Sequence, residues 1–136
     1  MNLLAPVSAP WPDRFLALLR IVAALIFISV GSMKVFHFPV APFPMPPFSP
    51  FTVIGIAGLL EVVGGTAILL GLFTRPAAFI LSGQMAFAYF MGHAPQSFWP
   101  GINQGAPAIL FCFIFLYLAV AGAGAWSLDR ALFRKG

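Results

Sequence analysis

Three charged side chains interrupt otherwise apolar stretches of this chain: Arg20 and Lys34 within residues 15–36, and Glu61 midway along residues 52–72. A carboxylate in such a place is costly unless a partner or a proton neutralises it, which makes Glu61 a candidate for proton transfer. At 100° per residue, Phe27, Gly31 and Lys34 fall within roughly 40° of Arg20 on a helix, so one stripe carries both bases. Glu61 shares its stripe with Gly58 and Gly65, and small residues there let a neighbouring helix approach closely. His37 and His93 stand at the ends of the first and third apolar runs, with Tyr89 one turn before His93 and Asn103 in the loop beyond. Two histidines on different helices could hydrogen-bond a carbonyl while exchanging a proton, or ligate a haem. Nothing in their spacing is specific for haem, which is the disfavoured choice, and no metal site is read.

Depth decides which base meets Glu61. Counting about 1.5 Å per residue from the outer helix ends, Lys34 lies about 3 Å deep, Glu61 about 13 Å and Arg20 about 24 Å. Side chains tilt toward the helix N-terminus, so Lys34 and Glu61 lean toward each other while Arg20 leans away. A Lys34 to Glu61 pair is expected, direct or through water, with Arg20 nearer the opposite interface. An ion pair that only fixes helix packing is the competing structural explanation.

The elements that must position these groups follow from composition. With 61% hydrophobic and 7% charged residues in 136, and a mean hydropathy of +1.00, the chain lacks the polar surface a water-soluble domain needs. Four apolar runs, residues 15–36, 52–72, 76–91 and 106–123, predict four spanning helices at about 13–36, 52–72, 76–92 and 105–123 in one domain, residues 1–136. The fold class expected is an all-α integral membrane four-helix bundle. Arg20 inside the first run, and no base before Asp13, argue for a retained helix over a cleaved signal. Cys112 is the single cysteine, so a paired-thiol redox mechanism is excluded.

Basic residues set the orientation. Arg14, Arg75, Arg130, Arg134 and Lys135 all fall on one side of four spans, which places both termini in the cytoplasm. Trp11 and Trp126 would mark the inner interface and Trp99 the outer one. The formal charge of +4 and pI near 10.0 come mostly from these flanks, so they read as topology and lipid contacts, with no nucleic-acid partner. The outer loop from His37 to Phe51 carries six prolines and four phenylalanines, which rules out a regular element and suits a stiff aromatic segment in the headgroup layer or a lid over a lipophilic ligand. Residues 93–105 form a second outer loop over the same mouth. Ser127, Asp129 and the apolar set Leu128, Leu132 and Phe133 predict a short C-terminal amphipathic helix on the inner leaflet.

The order Leu18, Leu19, Arg20, Gly31, Lys34; Gly58, Glu61, Gly64, Gly65, Gly71; Asn103, Gly105; and Gly122, Gly124, Trp126, Ser127, Leu128, Asp129 resembles the DoxX family of small four-helix bacterial membrane proteins. The resemblance runs from Phe15 onward. It departs after Asn103, where the family often has an acidic residue and this chain has Ala106 and Pro107. The resemblance implies a place in the bacterial cytoplasmic membrane and a link to respiratory redox chemistry, since some relatives are thiosulfate:quinone oxidoreductase subunits. A quinone-interacting subunit is therefore expected, with Glu61 and Lys34 as the catalytic pair and Arg20, His37, Tyr89, His93 and Asn103 as ligand-binding residues. Lys34 or Asn103 would donate to a quinone carbonyl and Glu61 would pass a proton. The chain has no flavin or dinucleotide motif, so another redox-enzyme subunit would complete the cycle. The alternatives are a non-catalytic adaptor or assembly partner of a redox enzyme, and a small-anion or proton carrier using Arg20 and Lys34. Glycine-rich helix 2 also has surface for a homo-oligomer.

Overall fold

The computed structural model describes residues 2–133, and these contain helices and no strand. Arg134 and Lys135, counted above among the basic flank, lie outside the described residues. The first helix, α1, runs Trp11–Phe36 and has Pro12 and Asp13 in its opening turn, where a missing N–H costs nothing and a carboxylate meets the positive end of the helix dipole. It begins two residues before the predicted start because Pro12 is an N-terminal helix residue, not a barrier. The second, α2 (Val53–Leu70), opens under Thr52, whose hydroxyl accepts from Gly55 N at 3.0 Å. It closes on Gly71, in the left-handed region at φ 66°, two residues short of the predicted end.

The third helix, α3, spans Thr74–Gly92. Its first N–H groups are satisfied from far along the chain: the Asp129 carboxylate accepts from Phe73 N at 2.7 Å and Thr74 N at 2.9 Å. A one-turn helix, α4 (Pro100–Asn103), interrupts what the sequence predicts as plain loop, with Pro100 setting φ at its first position. The fifth, α5, spans Ala106–Ala121 and stops at Gly122. The last, α6 (Leu128–Phe133), starts under the Ser127 hydroxyl, which accepts from Arg130 N at 3.2 Å. The predicted terminal helix is thus present, but it is a latch as well. Asp129 caps α3, Arg130 pairs with Asp13 at the head of α1, and the Phe133 ring lies 5.6 Å from that of Phe73.

Two tight pairs organise the packing, α1 with α2 and α3 with α5, and narrower seams between α2 and α3 and between α1 and α5 join them. Their common core holds Ala24 and Phe27 from α1, Ile68 from α2, Ala78, Leu81 and Met85 from α3, and Phe115 and Leu118 from α5. Phe27 and Phe115 meet edge to face, with ring centroids 4.8 Å apart. The α1–α2 approach depends on missing side chains: a Cβ at Gly31 would lie 2.6 Å from the Glu61 Cβ, and one at Gly58 would lie 2.8 Å from the Lys34 Cβ.

The outside of the helices is as apolar as the inside. Val22, Leu25 and Ile26 of α1, Ile56 and Val63 of α2, Phe79 and Phe87 of α3, and Leu110 and Phe113 of α5 are all exposed. Both α1 and α2 are long and apolar enough to cross a bilayer, yet only 33% and 28% of their most apolar windows are buried, which the core helix of a water-soluble domain would not show. By contrast α5, with 16 residues, reaches about 24 Å at about 1.5 Å per residue, short of a hydrocarbon core of about 30 Å. Such surfaces belong in lipid.

Candidate functional site

Glu61 is buried where α1, α2 and α3 meet. The Lys34 ammonium donates to both carboxylate oxygens, at 2.6 Å and 2.8 Å. The pair expected from depth is therefore a direct one, with the carboxylate side chain 2% exposed and the lysine 21%. A third group, not anticipated, completes the arrangement: Gln84 Nε2 on α3 donates to Glu61 Oε1 at 3.3 Å and to Ala57 O at 3.2 Å. The opposite end of that amide, Oε1, is buried and has no hydrogen-bond partner. A buried acceptor left unmet costs about 1–3 kcal/mol, so the local structure holds an unmet demand for a donor.

Gln84 also faces an apolar groove of about 380 Å³ between α2 and α3, walled by Val53, Ile56, Ala57, Leu60, Ile80 and Phe87. The groove follows the looser α2–α3 seam, and a long apolar molecule can enter such a seam sideways from lipid. Gln84 was legible in principle, as the one amide within the third apolar run. A neutral amide carries no charge signal of its own, and its contact with Glu61 is what marks it out.

Arg20 requires a correction. Expected among the ligand-binding residues, it is 0% exposed and has every N–H committed to the backbone. Nε donates to Ala123 O at 2.8 Å, Nη1 to Ile68 O at 2.8 Å and Leu69 O at 2.6 Å, and Nη2 to Ala125 O at 3.2 Å and Trp126 O at 2.9 Å. Ile68 and Leu69 are last-turn residues of α2, whose carbonyls have no partner within the helix. The guanidinium therefore ties the end of α2 to the segment after α5 and has no donor left for a ligand.

Tyr89, His93 and Asn103 do come together, but around each other. Asn103 Nδ2 donates to Ser97 O at 2.9 Å and to the Tyr89 hydroxyl at 3.3 Å, while its Oδ1 accepts from Gly105 N at 2.8 Å. His93 Nδ1 lies 2.9 Å from Asn103 O, and the Tyr89 and His93 rings stack at 6.5 Å. Among the described residues no hydrogen bond or ring contact joins this cluster to Glu61. The Asn103 amide is spent on folding the loop over the start of α5, which corrects its expected role as a donor to a ligand. His37 stands apart from both groups, in the left-handed conformation that ends α1, with Nε2 3.1 Å from Pro46 O. Its role there is to hold the proline-rich loop against the helix end.

The family described as DoxX matches residues 15–94, a stretch that contains Lys34, Glu61 and Gln84. An uncharacterised protein of Haemophilus influenzae is 44% identical over 124 residues, covering 89% of this chain and 92% of its own. No solved structure matches the chain. On the family match and the extent of that relative, this all-helical protein with lipid-suited faces belongs to the DoxX family.

Proposed function

We propose that the protein is a quinone-interacting subunit of a membrane oxidoreductase, built as a four-helix bundle in the bacterial cytoplasmic membrane with both termini in the cytoplasm. The observation that carries this is Gln84, which touches the buried Lys34–Glu61 pair through its Nε2 and lines the apolar groove between α2 and α3. A quinone needs an apolar path for its tail and hydrogen-bonding groups for its head, and this site has both kinds of surface side by side. Bound there, the cofactor would supply the electron-transfer chemistry, while the chain's own side chains handle the proton.

The residues divide the remaining work. Gln84 holds the reduced head group, a quinol, because its free Oε1 accepts from a quinol hydroxyl and has nothing to accept from a quinone carbonyl. Glu61 holds or releases a proton at its carboxylate. Lys34 keeps that carboxylate charged when no proton is bound, and Gly31 and Gly58 keep the two side chains in register. A separate subunit completes the redox cycle.

The test is organic extraction of the purified protein followed by identification of quinone, repeated on Glu61→Gln and Gln84→Leu. From protein purified under reducing conditions, quinol is expected from the wild type and at least tenfold less from Gln84→Leu, given about 1.4 kcal/mol per tenfold in affinity. Glu61→Gln is expected to retain the fold and lose quinone reduction in the assembled complex. An extract without quinone, from a protein that still forms a stable complex with another chain, would replace this function with that of a non-catalytic adaptor.

A further inference from the structure

A cavity of about 550 Å³ lies away from Glu61, at the helix ends that carry Asp13, the start of α3 and the end of α5. Its walls combine charge and apolar surface: Arg75, Arg130, Asp13 and Asp129 beside Phe73 and Phe133. Both carboxylates there are engaged. Asp129 accepts the first N–H groups of α3, and Asp13 accepts both Nη groups of Arg130, at 2.6 Å and 2.8 Å. Arg75 is exposed to the cavity beside Gly122 and has no hydrogen-bond or ion-pair partner among the described residues. The two arginines and two aspartates cancel in formal charge, and Arg75 is left as a cationic donor with no partner among the described residues.

A second polar group points the same way. Thr74 is 0% exposed and lines this cavity, yet its Oγ1 has no hydrogen-bond partner. A fork of guanidinium donors beside a hydroxyl donor matches the oxygens of a phosphate, and the phenylalanines beside them match the upper part of acyl chains. We propose that this cavity binds the phosphate of an anionic glycerophospholipid head group, with Arg75 and Thr74 as its donors. Its position at the helix ends puts it at headgroup depth, and Arg130 is held by Asp13 at its rim.

Thermal unfolding of the purified protein in an uncharged detergent, titrated with phosphatidylglycerol, phosphatidylcholine or sodium phosphate, tests this. Phosphatidylglycerol is expected to raise the unfolding temperature more than phosphatidylcholine does. Arg75→Ala is expected to need on the order of tenfold more phosphatidylglycerol for the same shift, and Thr74→Val several-fold more, as charge-assisted and neutral hydrogen bonds differ. An equal response to sodium phosphate that Arg75→Ala also weakens supports the phosphate site and makes a free anion its ligand. A phosphatidylglycerol response that survives in Arg75→Ala overturns the proposal, and so does an equal response to both lipids. Should Arg75→Ala fail to fold, native mass spectrometry of wild type against Thr74→Val decides, and undiminished lipid retention in the variant overturns it.

Discussion

Arg20 and Glu61 are both charged, both buried and both placed in apolar helices, but their surroundings differ in kind. Arg20 spends its donors on five backbone carbonyls, from the last turn of α2 and the segment after α5. Backbone partners are fixed by the fold itself, and no capacity remains for exchange. Glu61 is held by two side chains, Lys34 and Gln84, and the second keeps an unmet acceptor beside an open groove. A charge satisfied by the main chain is a clamp, whereas one satisfied by movable side chains, with a polar atom left over, has the makings of a site. Burial alone does not separate the two.

The largest effect should come from breaking the clamp. Arg20→Met, similar in length and without donors, would leave the carbonyls of Leu69, Ala123, Ala125 and Trp126 short of partners, while Ile68 O keeps Gly71 N, at about 1–3 kcal/mol for each that water cannot reach. The sum is comparable with the whole net stability of a domain, about 5–15 kcal/mol. Little monodisperse protein is expected on size exclusion in detergent. Recovery of a stable Arg20→Met protein would mean that the two classes of charge are not distinct.

A smaller effect is expected at the other charge. Glu61→Gln removes the anion but leaves Lys34 partly buried without its partner, so a loss of about 1–3 kcal/mol is expected in thermal unfolding. The double variant Glu61→Gln with Lys34→Met removes both charges and should recover most of that loss, because a paired charge contributes little net stability over an apolar pair. No recovery would show that the pair is a structural element like Arg20.

The smallest effect belongs to the exposed Asp13–Arg130 pair, where the side chains are 35% and 38% accessible. The hydrogen bonds that Arg130 donates to Asp13 raise the Arg130 pKa above the ordinary arginine range. A raised folded-state value means that its stabilisation is fully present below the unfolded pKa and is lost only as pH rises through the folded one, in strong alkali. Asp13→Asn should therefore cost less than about 1 kcal/mol after solvent screening, and the Arg130 contribution to that cost should stay flat between about pH 6 and 9. A cost that shrinks toward pH 9 would contradict this assignment.

The same contrast explains what could be read before the coordinates. Helix periodicity and depth suffice for Lys34 and Glu61, because both side chains lie on adjacent, sequential helices with known tilt. They do not suffice for Arg20, whose partners are carbonyls of a helix end and of residues 123–126, and main-chain acceptors carry no sequence signal. Asp129 reads locally as a residue of its own short helix, yet it caps α3, a contact across 55 and 56 residues that no local pattern encodes. Gln84 was visible but neutral, and only its contact with Glu61 marks it out. The helix bounds shifted where Pro12 and Gly71 act as terminal residues, a matter of local backbone chemistry.

The most direct measurement is a binding titration of a short-tailed quinol, kept reduced, to purified Gln84→Leu, followed by intrinsic tryptophan fluorescence, in protein whose unfolding temperature matches the wild type. With Gln84 joining groove and carboxylate, affinity should fall by at least about tenfold, the worth of one hydrogen bond of about 1.4 kcal/mol. Unchanged affinity in a folded Gln84→Leu protein would contradict the placement of the site between α2 and α3.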